Sequence, residues 1–309
     1  MSMVIKKKYT QIIKKSIEEH MFPLYFLLSY IYQEKKARKR VRKLTQAWKV
    51  KPLSALNISH YKKSDTLFVL GSGESINKLE LDAWDVIKKN DTVGFNYWLI
   101  HDFVPTYYVF EPIRNQERAI VLLRNMSLRA KDYKETPIIM KDAIDSTRFV
   151  NLELIPNELI KNFYISADIS IPGNSEESIV KSLNYCNLLG FFAKTDRIQL
   201  MLKKRASLSY MILFGLIAGY KEIVLCGVDL NNTNYFYESN KDYYQSKGLT
   251  ISHSVQTGTI HKTIDPDYGI LTIDKIIYIL NDELLKPRGI NLYIASKSSA
   301  LYPRLPIYW

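Results

Sequence analysis

Apolar positions along this chain fall into two rhythms. Short continuous apolar runs recur at Leu67–Leu70, Asp91–Asn96, Thr106–Glu111, Pro137–Met140, Glu222–Asp229 and Asn291–Ala295. Runs of this kind, bounded by turn residues, read as strands buried on both faces. Between them lie longer stretches of helical character at Leu79–Lys88, Ile113–Arg129, Ser175–Leu189, Ala206–Gly219 and Leu271–Leu285. Gly219 suits a helix C-cap, because glycine tolerates the left-handed conformation. The alternation predicts a parallel sheet covered by helices on both faces. Two stretches break the rhythm. Residues 142–200 read as an insertion whose strands the pattern does not place. Residues 231–269 are polar and rich in Tyr, Asn, Ser and His, as expected of a lid or binding loop.

The start of the chain follows another pattern. Ile5, Tyr9, Ile12, Ile13, Ile17 and Met21 stand at helical spacing with lysines between them. After Pro23 comes the apolar aromatic run Leu24–Tyr32, followed by a basic cluster from Lys35 to Lys43. The run is shorter than the ~20 residues that cross a bilayer, and it lacks the small-residue cleavage site of a signal peptide.

Charge sharpens this picture. The 309 residues carry a net +12, but residues 1–51 hold 14 of the 43 Lys and Arg and three of the 31 Asp and Glu. That segment is +11 and the remainder +1. A basic tail on a near-neutral body argues against a nucleic-acid-binding surface. It suits a helix lying in the interface of an anionic membrane, or an arm packed on its own domain or a second subunit. The expected organisation is a membrane-associating extension over 1–51, a linker over 52–64 and a nucleotide-binding domain over 65–309. The two cysteines, Cys186 and Cys226, sit in apolar surroundings without metal-site spacing and suit a reducing compartment.

Candidate chemistry gathers where strands end. The strand Leu67–Leu70 breaks into Gly71-Ser72-Gly73, with Ser75 as a candidate N-cap. This turn is expected to hold a nucleotide phosphate, although Ile76 stands where the dinucleotide fingerprint has its third glycine. Ligands of open α/β sheets bind beyond the strands' carboxyl ends. Those ends offer Asn96, Glu111, Gly227, Asp229 and the Ser296–Ser299 turn. Asn96 and Asp229 also fit plain turn-closing and capping roles. The polar loop adds Tyr235, Tyr237, His253 and His261, and histidine titrates near neutrality. Asp265-Pro266-Asp267 has the Asp-x-Asp form of metal-dependent transferases. It follows a loop rather than a core strand, so no metal is expected.

Taken in order, these segments resemble the bacterial sialyltransferases of glycosyltransferase family 42 and related surface-polysaccharide transferases. The likeness is carried by Val69-Leu70-Gly71-Ser72-Gly73-Glu74-Ser75-Ile76, by Asn96, by Ser207 through Tyr210-Met211 and Gly219-Tyr220-Lys221-Glu222-Ile223 to Gly227-Val228-Asp229, and by Asn291-Leu292-Tyr293 with Ser298-Ser299-Ala300-Leu301. It implies a Rossmann-like, GT-A-like variant with a lid-like insertion. It implies metal-independent, inverting transfer of an acidic sugar from a CMP-activated donor to a glycan or glycolipid acceptor, with no cofactor. Two lid tyrosines would hold the departing phosphate, the second falling near Tyr237 or Tyr235. A lid histidine would act as base. His261 is favoured over His253 because Lys262 and Thr263 follow it and a helix begins soon after. Ser207, Ser298 and Ser299 join the donor site on the same ground. Glu111 stands where the family has asparagine, and Asn231 where it has the first lid tyrosine. The sugar is left open among sialic acid, Kdo, other nonulosonates and an unrelated sugar, and a transferase using another nucleotide sugar is an alternative. The expected location is the cytoplasmic face of the bacterial inner membrane, held peripherally, and a homo-oligomer is left open. The rival readings are a methyltransferase, a pterin diphosphokinase-like enzyme and a non-catalytic membrane scaffold.

Overall fold

The computed structural model describes residues 21–141, 151–231, 234–251, 263–265 and 271–309. Eight strands form one sheet: β1 (Lys51–Pro52), β2 (Thr66–Leu70), β3 (Asp91–Phe95), β4 (Tyr107–Phe110), β5 (Ile138–Met140), β6 (Phe163–Ile165), β9 (Glu222–Cys226) and β10 (Asn291–Ile294). Their spatial order is β1-β6-β5-β4-β3-β2-β9-β10, and every neighbouring pair is parallel. The remaining strands, β7 (Asp168–Ser170) and β8 (Met201–Lys203), form a separate parallel pair. The chain is thus α/β with a Rossmann-like sheet.

Side chains alternate across the sheet, so each apolar run feeds two cores. From β2 and β9, Leu67, Val69, Ile223 and Leu225 enter one core, while Phe68, Leu70, Val224 and Cys226 enter the other. The first core is covered by α4 (Glu176–Leu188), α5 (Ser207–Ile217) and α6 (Ile273–Leu280). The second is covered by α2 (Leu81–Lys88) and α3 (Gln116–Leu128). α5 is buried along nearly its whole length, which explains why its sequence is apolar on every side. Ser175 caps α4 by accepting the Ser178 N–H at 3.2 Å, and Gly219 takes φ +76° beyond α5.

The N-terminal helix α1 (Phe22–Trp48) lies along the sheet edge and joins both cores. Phe22 and Phe26 enter the first core, where Phe26 meets Tyr185 at 5.3 Å between ring centres. Ala37 and Leu44 enter the second. Gln33 braces the middle, donating to the Ser170 carbonyl at 3.1 Å and accepting its N–H at 2.8 Å. The opposite face shows Met21, Leu24, Leu27, Leu28, Ile31 and Tyr32 to solvent. The aromatic run therefore has two apolar faces, one docked on the domain and one exposed. No helix among the described residues is long and apolar enough to cross a membrane.

Two expectations differ from what is found. Residues 52–64 are not a free linker: β1 pairs with β6, and Leu53, Leu56 and Ile58 are buried. Their apolar side chains pack into the first core. The insertion 142–200 contributes β6 to the main sheet and β7 and β8 to the small one. Strands of three residues are too short to show periodicity.

Candidate functional site

From β2 the chain builds the sheet outward through β3, while β9 returns to the other side of β2. The strand order therefore reverses between β2 and β9, the point where open α/β sheets bind ligands. A cavity of about 480 Å³ lies there, at the carboxyl ends of β2, β3, β4 and β9. That volume suits a small organic ligand.

One wall is a backbone seam. The Gly71 N–H donates to the Cys226 carbonyl and the Gly73 N–H to the Gly227 carbonyl, each at 2.8 Å. The two turns lie so close that a Cβ on Gly71 would stand 2.5 Å from the Gly227 oxygen. Gly227 also has φ +63°, which favours glycine. Behind the seam, buried Asp229 accepts the Ser75 N–H at 3.0 Å and the Ser75 hydroxyl. The Glu74 N–H donates to the Asn234 carbonyl at 3.2 Å, and Gly73 bridges Tyr235.

This wall corrects the expected phosphate cradle. The N–H groups of Gly71, Gly73, Glu74 and Ser75 are all engaged within the protein. Gly73, not Ser75, precedes the short 3-10 turn Glu74–Lys78. A side chain at Gly73 would strike the Asp229 carboxylate, with Cβ to Oδ2 at 2.6 Å. Gly73→Val therefore probes folding, not ligand approach.

The floor is charged. Glu111, just past β4, accepts the Ser207 hydroxyl at 3.2 Å and the ammonium of Lys141 on the same carboxylate oxygen, Oε2. Lys141 is fully buried and also lies 3.9 Å from Asp168, which pairs with Lys203 at 3.3 Å. Alternating signs let these charges stay buried. Lys141 was missed in the sequence, although it directly follows the strand Ile138–Met140 and so stands at a carboxyl end. Asn96 lines the cavity at φ +54°, a conformation asparagine tolerates, and its carbonyl accepts the Tyr108 hydroxyl at 2.5 Å. Arg205, at φ +65° before α5, donates to the Thr263 carbonyl at 3.0 Å.

Further lining comes from the approach to α3, from α3 itself and from the start of the lid, which adjoins the seam. Arg114, Arg118, Asn234 and Tyr235 belong to it. Arg118 Nη2 donates to the Tyr97 hydroxyl at 3.2 Å. Tyr235 stacks on Tyr237 at 5.3 Å, and Tyr237 meets Tyr97 at 5.9 Å. Burial raises the pKa of both Tyr235 and Tyr237, so both phenols stay protonated donors at neutral pH. Tyr237 is itself buried behind Tyr235.

The candidate residues thus divide. Ser72, Gly73, Asn96, Glu111, Ser207, Gly227, Asp229 and Tyr235 border the cavity; Gly71, Ser75, Tyr237, Ser298 and Ser299 do not. Ser299 donates to the Val228 carbonyl at 2.6 Å, and Asn231 to the Ser298 carbonyl at 2.6 Å. Both contacts brace the loop after β9. His253, His261 and Asp267 lie outside the described residues. Among the described residues no cluster of His, Cys, Asp or Glu is arranged to hold a metal. Both cysteines are buried and free, and burial pushes the Cys186 thiol up to about 12.

Compared with protein-family models and with curated proteins, the chain matches none. The site must therefore speak through its charges. Asp229 is engaged by Ser75, and Glu111 is neutralised by Lys141. Three arginines, Arg114, Arg118 and Arg205, also stand on the lining.

Proposed function

We propose that this protein is a glycosyltransferase that transfers an acidic sugar, a nonulosonate such as sialic acid or Kdo, from a CMP-activated donor to a surface glycan. The observation that carries this reading is the arginine-lined cavity at the strand-order reversal, with protonated Tyr235 on its rim. Departure of CMP leaves charge on a phosphate oxygen. Tyrosine and arginine donors held in place lower the barrier by stabilising that charge as it forms. Proton removal from the acceptor hydroxyl is assigned to a lid histidine, His261 before His253. The test is a thermal-shift panel of CMP, UDP, GDP, their sugars and S-adenosylmethionine. CMP and CMP-sugars should raise Tm, since a ligand that binds only the folded state stabilises it. Stabilisation by S-adenosylmethionine with none by CMP would point to a methyltransferase and sink the reading. Once a donor is found, His261→Ala should keep donor binding and lose transfer by ~10²-fold.

The same reading places the enzyme peripherally at the cytoplasmic face of the inner membrane. The exposed face of α1, Met21 to Tyr32, would enter the acyl boundary. Lys35 to Lys43 would meet anionic headgroups, each worth about 1 kcal/mol. Leu188 and Leu189 are also exposed, at the end of the helix whose Tyr185 packs on Phe26. The double variant Leu24→Glu, Leu28→Glu changes only solvent-facing positions. It should keep the parent Tm and lose co-flotation with phosphatidylserine vesicles. Undiminished flotation would remove the assignment.

A further inference from the structure

We infer that Arg118 forms an oxyanion subsite on the α3 wall of the cavity, where its guanidinium takes a carboxylate or phosphate group of the ligand. The inference rests on the transferase reading for the ligand's identity, but not for the subsite's existence.

The local structure aims the side chain. Asn115 caps α3 by accepting the Arg118 backbone N–H at 2.9 Å. The arginine therefore leaves the first turn from a fixed point, on the face that lines the cavity. Its Nη2 reaches the Tyr97 hydroxyl at 3.2 Å. Its Nε is buried and has no hydrogen-bond partner among the described residues. Native proteins rarely leave a buried donor unpaired, least of all a charged one, and such a group calls for an explanation. A packing role does not supply one, because packing arginines have their donors met by carbonyls or carboxylates. On this helix Arg129 does so, donating to the carbonyls of Leu99, His101 and Asp102.

The chemistry of the missing partner follows from the donor left unmatched among the described residues. Nε and Nη2 form one side of the planar guanidinium, and two oxygens of a carboxylate or phosphate match that side with two parallel bonds. The neighbouring groups favour an anion. Tyr97 offers a hydroxyl beside the guanidinium, Tyr235 stays a protonated phenol, and Arg114 and Arg205 line the same cavity. A CMP-linked nonulosonate offers the oxyanion twice, as the nucleotide phosphate and as the sugar carboxylate.

Calorimetry with the full chain tests this. Four probes separate the sources: CMP carries phosphate alone, free N-acetylneuraminic acid carboxylate alone, inorganic phosphate the bare ion, and cytidine neither. Arg118→Gln should keep the parent Tm within about 2 °C, because among the described residues the side chain has one hydrogen bond to lose. It should weaken one anionic probe at least tenfold and leave cytidine unchanged. A loss confined to CMP and inorganic phosphate assigns the phosphate. A loss confined to the free sugar acid assigns the carboxylate. Arg118→Lys keeps the charge but not the fork, and should recover less than a third of the lost affinity. Should inorganic phosphate bind through Arg118 while CMP and the sugar acid do not bind the parent at all, the subsite stands and the transferase reading falls. Equal binding of every probe by parent and Arg118→Gln overturns the subsite. So does a parent that binds none of them.

Discussion

Arg118 and Arg129 stand at opposite ends of one helix, about three turns apart and so on nearly the same face. They do opposite work. Arg129, at the C-terminal end, donates to the carbonyls of Leu99, His101 and Asp102 and pairs with Asp132. It stitches the 99–102 loop to α3. Arg118, in the first turn, donates to Tyr97 and leaves buried Nε unmatched among the described residues. The same residue type is structural where its partners are backbone and open to ligand where they are absent. What distinguishes the two is the account of their hydrogen bonds, not their position in the sequence.

The largest effect should come from the satisfied end. Arg129→Met strands three carbonyls of the 99–102 loop and leaves Asp132 without its cation. Urea unfolding should show a loss of about 3 kcal/mol or more. A loss below about 1 kcal/mol would mean that the loop holds without it, and the contrast with Arg118 would collapse.

The next effect appears only in acid. His101, in the loop that Arg129 holds, stacks on Trp98 at 4.4 Å and Trp84 at 5.2 Å. Burial pushes its pKa down to about 4, against an upward pull from Asp102. In the unfolded chain it titrates near 6.5. Between these values the unfolded state binds a proton that the folded state does not. Its contribution is therefore complete above pH 6.5 and is lost as pH falls toward 4, by up to about 3 kcal/mol. The difference in unfolding free energy between parent and His101→Phe, followed from pH 7 to pH 4, should show this slope in the parent alone. Parallel curves would place the imidazole in water. The smallest effect on stability belongs to Arg118→Gln, whose near-parental Tm is the other half of the comparison.

The sheet was legible because its strands are buried on both faces and read as unbroken apolar runs. The cap at Ser175 and the stop at Gly219 were legible for local reasons as well. The site was less so. Gly71-Ser72-Gly73 has the composition of a phosphate turn, but the Gly71 and Gly73 N–H groups are engaged by Cys226 and Gly227, more than 150 residues away. No local pattern reports that. Asp229 did prove to border the cavity, yet its carboxylate faces Ser75. α1 misled in a different way. Periodicity shows that a helix has apolar faces, but not whether each meets protein or solvent. Arg118 was hidden because a lone arginine in the first turn of a polar helix looks like a solvated charge.

The seam between β2 and β9 also has a consequence in time. β2 and β3 are translated close together, but β9 begins at Glu222, long after β2 ends at Leu70. At ~5–20 residues per second on the ribosome, β2 waits roughly 10–30 s for its second neighbour. Through that interval the nascent sheet has a bare inner edge, made of Leu67, Phe68, Val69 and Leu70, that pairs readily with any passing strand. The polar Gly-Ser-Gly turn at its end offers no cover, because its own partners arrive with β9. Overexpression, which crowds nascent chains, should therefore endanger this protein at its centre before its margins.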